Sequence, residues 1–336
     1  LVPALLNLEL TVHQPCLHTL LPEPTGRGLM NLRLFQLHMS ATSRVLMIDL
    51  LVERAEFGHG GNQEVIKPIA ALSDVEVLLI TPQMQSFDAG HKIETEVKLE
   101  INDVPHWDYE YEFWSQTEEI LEGRKINFQR IVMPMHENES KMNDWLNNLK
   151  IDAVVCSGSR KNVSIWEKWM GPTETMFRAA AKSGTPTLGI CFGHQLLCHS
   201  LGSDVERADE LSSGIWSLEL TVDGKTDILL TSHKQNDEEI SGLFSHQDHV
   251  ASIPENCTLL SKTSHNLVTA VRVNNESGKP LPAWGIQFHP EAARKRIERA
   301  YGWGHISEEE YNSFRGEHDG AGILSSFAKI VLEKSS

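Results

Sequence analysis

The residues best placed to do chemistry are Cys191, within Gly189-Ile190-Cys191-Phe192-Gly193-His194-Gln195, and His289 and Glu291, within His289-Pro290-Glu291. Thr185 to Ile190 reads as a buried strand and Phe192 to Leu201 as a helix, which puts Cys191 on the turn between them. Ala283 to Phe288 reads as a short apolar strand that delivers His289 and Glu291 at its end. A thiol is a useful nucleophile only as the thiolate, and a free cysteine has a pKa of about 8.5. A helix N-terminus beside the sulfur favours the anion, and a neighbouring histidine can hold its proton. In this reading Cys191 attacks, His289 serves first as general base and then as general acid, and Glu291 orients the imidazole. Gly189 and Gly193 allow a tight turn, and Phe192, the residue after the nucleophile, offers a backbone N–H to an oxyanion. The pattern suits cleavage of an amide through a covalent intermediate.

The plainer fate of a free cysteine is that of a buried small hydrophobe, and Cys156, Cys198 and Cys257 are read that way. The five cysteines show no metal or disulfide spacing, which favours a reducing cytoplasm. The sixteen histidines include no HExxH-type spacing, so neither a metal nor another cofactor is expected. His246 is read as a pocket-loop residue and His194 as a filler of the nucleophile helix. Gly58-His59-Gly60-Gly61 lacks the Gly-Lys-Ser/Thr ending of a phosphate loop. A net charge of −16 argues against a nucleic-acid or acidic-membrane binder. The chain lacks the apolar run of about 18 residues that a membrane helix needs.

The elements that must position these groups follow an α/β rhythm. Arg44 to Asp49 and Val75 to Ile80 read as strands around a polar loop (Gly58 to Asn62) and a helix (Gln63 to Leu72), which predicts a parallel sheet. Ile126 to Met133 and Asp152 to Cys156 are further strands, with helices ending at Leu149 and spanning Trp166 to Lys182. Leu218 to Val222, Asp227 to Thr231, His249 to Ile253, Thr258 to Ser261 and Leu267 to Val273 alternate in strand fashion. Residues 83–125 read as an insertion with an aromatic alternation at Asp108 to Phe113. Residues 292–318 read as an inserted helical pair (Ala292 to Tyr301 and Ser307 to Phe314) before a terminal helix from Ile323 to Leu332. Residues 1–38, broken by several prolines, read as a disordered leader or upstream extension, and residues 39–336 as one domain.

These residues closely resemble the class I (triad-type) glutamine amidotransferase family. Its Gly-x-Cys-x-Gly-x-Gln turn is matched by Gly189 to Gln195, and its aromatic-His-Pro-Glu segment by Phe288 to Glu291. Its small-residue oxyanion loop is matched by Ala153 to Ser159, and its Ser-His-x-Asp segment by Ser245-His246-Gln247-Asp248. The resemblance covers roughly residues 150–292 well, and 44–82 and 319–333 more loosely. It implies a flavodoxin-like, open, mostly parallel sheet with flanking helices and an antiparallel addition. It implies that Cys191 attacks the glutamine side chain to form a glutamyl thioester and release ammonia, with His289 and Glu291 completing the triad. Gly158 and Phe192 would hold the oxyanion, Gln195 the α-amino or carboxylate end, and the backbone of Ser213-Gly214-Ile215 the glutamine pocket. Ser157-Gly158-Ser159-Arg160 departs from the commoner Gly-Gly-Pro loop and looks more like GMP-synthase-like amidotransferases and small standalone members related to γ-glutamyl peptidases. With no phosphate loop and no second large domain, a separate synthetase subunit is the expected partner. A standalone γ-glutamyl peptidase and a catalytically silent regulatory subunit are the alternatives.

Overall fold

A computed structural model describes residues 42–51, 58–85, 116–234, 239–304 and 306–335. All of them lie in one compact unit, Ser40–Ser336. The expected leader over residues 1–38 and the aromatic alternation at residues 108–113 fall outside the described residues.

The first half runs β1 (Ser43–Ile48), α1 (His59–Ala70), β2 (Val75–Ile80), β3 (Gln116–Leu121), β4 (Arg124–Arg130), α2 (Glu139–Leu149), β5 (Ala153–Cys156) and α3 (Met170–Lys182). Next come β6 (Thr187–Ile190), α4 (Phe192–Ser200), β7 (Val205–Ser217), β8 (Glu219–Leu220), α5 (Ile228–Thr231) and β9 (Ser241–Val250). The chain ends with β10 (Cys257–Lys262), β11 (Ala270–Asn274), β12 (Pro280–Ile286), α6 (Arg294–Gly302), α7 (Glu308–Ser313) and α8 (Gly320–Ser335). Among the described residues, ten strands form one sheet in the order β3-β4-β2-β1-β5-β6-β12-β11-β10-β8, and β7 pairs with β9 in a separate ribbon. From β4 to β12 neighbouring strands run parallel, and the two ends of the sheet are antiparallel. This is the expected flavodoxin-like α/β fold with its antiparallel addition.

The central strands are buried on both faces, so their sequences are continuous apolar runs. Side chains alternate along β1: Val45 and Met47 join the core under α1 and α8, while Leu46 and Ile48 join the core under α3 and α4. Strand order reverses beside β1, which pairs with both β2 and β5, and sheets of this kind open a crevice at the carboxyl ends of their strands there.

Four stretches differ from the sequence reading. Asp227 to Thr231 is not a strand: Asp227 caps a short helix, its Oδ1 accepting from Leu229 N–H at 2.9 Å. The strand read at His249 to Ile253 instead spans Ser241–Val250, so His246 lies in a strand and not in a loop. The stretch Ser241 to Asp248 carries no strand pattern in the sequence because its inward positions include the polar His246 and Asp248, which erase the hydropathy alternation. Its partner β7 was not anticipated, being largely exposed and charged along its first half. Helix α1 begins at His59, so Gly60 and Gly61 belong to its first turn rather than to a loop. The inserted helical pair is present as α6 and α7, the second opened by a capping box between Ser307 and Glu310.

Candidate active site

The site gathers at the carboxyl ends of β5, β6 and β12. Parallel pairing sets Ile190 level with Ile286, and Cys191 N–H donates to the Ile286 carbonyl at 2.8 Å. Cys191 has φ 51° and ψ −101°, a conformation L-residues rarely adopt, and it turns the chain sharply from β6 into α4. Two glycines permit that turn. A methyl group on Gly189 would lie 2.6 Å from the Gly193 carbonyl oxygen, and one on Gly193 would lie 2.6 Å from the Cys156 carbonyl oxygen. The Cys191 turn is thus pressed against the end of β5, where the small-residue loop begins.

That loop is pinned to β1. The Ser157 hydroxyl accepts from Leu50 N–H and donates to the Ile48 carbonyl, both at 3.0 Å, and Ser157 N–H donates to the same carbonyl at 3.1 Å. Gly158 is thereby carried to the other two strand ends: a methyl group on it would lie 2.9 Å from His289 Cε1 and 3.8 Å from Cys191 Cβ. His289 N–H donates to the Leu243 carbonyl at 2.7 Å, and its Nδ1 donates to Glu291 Oε1 at 2.8 Å. Burial works to lower its pKa, but the charges and hydrogen bonds of Cys191 and Glu291 outweigh burial and hold His289 well above the usual histidine value. Glu291 is buried, with its second oxygen unpaired and Gly61 of α1 packed against its methylene. Cys191, His289, Glu291 and Gly158 are therefore brought together.

The remaining residues singled out in the sequence fall into two groups. Phe192 starts α4, buried and stacked on Trp169 at 5.8 Å. Gln195 is buried too, and its amide turns inward, donating to the Asp248 carbonyl at 2.7 Å. Ser213, Gly214 and Ile215 lie on β7, with the Ser213 and Ile215 side chains directed at the inserted helices: Ser213 Oγ meets Ser313 Oγ at 3.0 Å, and Ile215 packs with Ile297 and Phe314. The paired strand β9 supplies Leu243 and Ser245 to the cavity wall at this level.

A cavity of about 340 Å³ opens beside His289 and Glu291, walled by Ser245, Arg160, Ile297, Ile306 and Phe314 among others. The inserted helices thus form one side of it, and Arg296 of α6 ties them to α1 through Glu64 at 2.7 Å and Gln63 at 2.8 Å. Arg160 is exposed and has no ion pair among the described residues. Sequence reasoning did not single out Gln287, whose Nε2 stands 3.6 Å from Cys191 Sγ, nor the Arg296 tie. A buried glutamine between two apolar residues carries no periodic signal, and the Arg296 partners are remote in sequence.

Burial governs His194, His246, Cys156, Cys198 and Cys257. Burial lowers His194 to about 4, so its imidazole is neutral, and Nε2 donates to the Val268 carbonyl at 3.0 Å. Burial likewise lowers His246 to about 4, and raises the thiols of Cys156 and Cys198 far above reactivity and that of Cys257 to about 12. Among the described residues no group of three or more His, Cys, Asp or Glu side chains is placed to hold a metal ion, and no helix is long and apolar enough to cross a membrane.

Comparison with known proteins bears on this arrangement. The glutamine-hydrolyzing GMP synthase of Brachyspira hyodysenteriae is 26% identical over 249 residues, covering 67% of this chain and 45% of that protein. The same enzyme from Lactococcus lactis is 41% identical over 108 residues, covering 32% of this chain and 19% of its own length. The chain thus spans less than half the length of these relatives. A crystal structure of a glutamine amidotransferase from Thermotoga maritima covers 87% of this chain and 98% of its own, with a TM-score of 0.52 and 16% identity, a likeness of fold. The family model for class I glutamine amidotransferases matches residues 115–301, more than half of the chain, from the start of β3 into α6. With Cys191, His289 and Gly158 converging within that span, the chain belongs to the class I glutamine amidotransferase family.

Proposed function

We propose that this chain hydrolyses the side-chain amide of glutamine through a Cys191-His289-Glu291 triad. The observation that carries the reading is His289, hydrogen-bonded to Glu291 at 2.8 Å and standing with Cys191 around Gly158, at the ends of adjacent parallel strands. A histidine oriented by a carboxylate and held above its usual pKa is the proton carrier that a nucleophilic thiol needs.

Cys191 Sγ attacks the glutamine δ-carbon, and the developing oxyanion is held by the backbone N–H groups of Gly158 and Phe192. The C–N bond breaks as His289 gives its proton to the nitrogen, leaving ammonia and a glutamyl thioester. Neutral His289 then takes a proton from water; the hydroxide attacks the thioester, and the thiolate leaves with glutamate as the second product. Glu291 stabilises the imidazolium throughout. The backbone around Ser213 to Ile215 holds the amino-acid end of the substrate, while the Gln195 side chain, expected there from the sequence, is instead turned inward onto Asp248 and Gln287. The relatives' name couples glutamine hydrolysis to a synthase, and on that likeness the ammonia acceptor lies on a synthetase subunit.

A second reading, hydrolysis of γ-glutamyl amides with water as final acceptor, is favoured by the cavity of about 340 Å³ beside His289, whose apolar wall gives room for a leaving amine larger than ammonia. Ammonia and glutamate release from L-glutamine and from γ-glutamyl dipeptides, with Cys191→Ala as control, separates the readings. Cys191-dependent ammonia release supports the first; preference for dipeptides supports the second. Turnover that survives Cys191→Ala refutes both. A wild-type chain that neither turns over nor is labelled at Cys191 by a glutamine-like electrophile is a silent subunit.

A further inference from the structure

Gln287 follows the last residue of β12 and is fully buried, its backbone N–H donating to the Thr269 carbonyl at 2.8 Å. Because Ile286 is paired with Ile190, Gln287 is level with Cys191. Its side chain closes a directional chain of amides. The Asp248 carbonyl oxygen can only accept, so Gln195 must face it with Nε2, at 2.7 Å. The same nitrogen lies 3.2 Å from the Gln287 side chain, which must therefore present Oε1. That orientation turns Gln287 Nε2 towards Cys191 Sγ, at 3.6 Å. Asp248 is itself fixed: its carboxylate accepts from Ser164 N–H and Oγ–H, both at 2.8 Å, and its carbonyl accepts from His246 Nδ1–H at 2.8 Å.

We propose that Gln287 is a positioning residue, its side-chain N–H aimed by Gln195 and Asp248 so that it orients Cys191 Sγ and stabilises the thiolate. This rests on the reading of Cys191 as the nucleophile. The titratable groups around the sulfur are His289 with Glu291 after β12, His194 on α4, His246 on β9 and Cys156 on β5. Burial keeps His194 and His246 neutral and Cys156 a thiol, so His289 is the charge that varies. Gln287 differs in kind: an amide donor does not titrate, and its hold on the sulfur persists when His289 loses its proton.

The test is the rate at which iodoacetamide alkylates Cys191 in the full chain from pH 5 to 10, the site located by mass spectrometry, with Cys191→Ala as control. Gln287→Leu removes the donor, and Gln287→Met removes it while keeping volume and flexibility. Circular dichroism and thermal melting identify which variant is folded. The expected result in a folded variant is a titration midpoint raised by about one unit and alkylation at neutral pH slowed about tenfold, the scale of one hydrogen bond to a charged group. A folded variant with an unchanged pH profile at a labelled Cys191 overturns the role of Gln287 and leaves the nucleophile standing. A wild-type chain not labelled at Cys191 overturns the nucleophile reading, and this inference with it.

Discussion

Gly158→Ala separates the chemistry of the site from its stability. The added methyl would stand 2.9 Å from His289 Cε1, whereas non-bonded carbons rest at about 3.5–4.0 Å, so the imidazole must retreat by roughly 0.6 Å or more. The other neighbour, Cys191 Cβ at 3.8 Å, is already in ordinary contact and stays put. His289 cannot retreat freely, because its N–H is tied to Leu243 at 2.7 Å and its Nδ1 to Glu291 at 2.8 Å. The imidazole therefore swings away from the sulfur. A misplacement approaching 1 Å at a catalytic group costs roughly 100-fold, or about 2.7 kcal/mol of barrier. The alanine retains its backbone N–H, so the oxyanion donor survives and the loss is purely one of position. Glutamine hydrolysis and Cys191 alkylation are measured beside thermal unfolding, with stability expected to change by less than about 1 kcal/mol. A Gly158→Ala enzyme that kept more than half of wild-type turnover would refute the placement of His289 as the working base.

Gly193→Ala behaves in the opposite way, since its methyl meets the Cys156 backbone carbonyl at 2.6 Å: unfolding should become easier by at least about 1–3 kcal/mol, read as a fall in the denaturant midpoint. His194 predicts acid sensitivity. Its value falls from 6.5 unfolded to about 4 folded, so between those pH values the unfolded chain binds a proton that the folded chain refuses, and stability declines as pH drops, by up to about 3 kcal/mol. His246 acts in the same direction, so His194→Gln should reduce the slope of stability against pH over this window without abolishing it, as followed by urea melts at pH 4.5 and 7.5. His289, shifted upward, contributes stability fully present below 6.5 and lost as pH rises through its folded value, so it adds no slope there. Arg160→Gln should raise KM for carboxylate-bearing substrates several-fold while leaving alkylation of Cys191 by neutral iodoacetamide unchanged, because Arg160 lines the cavity unpaired among the described residues. Equal KM values for the two enzymes would remove Arg160 from substrate recognition.

Much of this architecture was legible in the sequence where burial is two-sided. Val75 to Ile80 reads as a strand because nearly every side chain in it is buried, and β2 occupies that span. The turn at Cys191 was legible because the two flanking glycines have a steric cause, visible as the approaches to Gly193 and Cys156. Legibility failed where polarity and burial part company. Gln287, His246 and Asp248 are buried and hydrogen-bonded, yet look solvent-facing by composition. Ile228 to Thr231 failed for the converse reason, since a run of four residues holds too little periodicity to separate a helical turn from a strand. The wall contributed by α6 and α7 was readable as two helices. Its place beside His289 depends on the Arg296 tie to α1, which no local pattern encodes.

The position of β6 in the sheet, between β5 and β12, bears on how a reactive thiol survives its own biosynthesis. A chain made from its N-terminus lays down β1, β2, β4, β5 and β6 long before β12 exists, so Cys191 first stands at an unfinished sheet edge. At that stage neither His289 nor Gln287, the partners proposed for the sulfur, has been made. On the proposed mechanism the sulfur gains its partners only with the insertion of the strand that also completes the parallel sheet, so activity would report on folding. On that mechanism, a polypeptide stalled, nicked or misassembled between the two halves of the site would carry a cysteine without its catalytic partners.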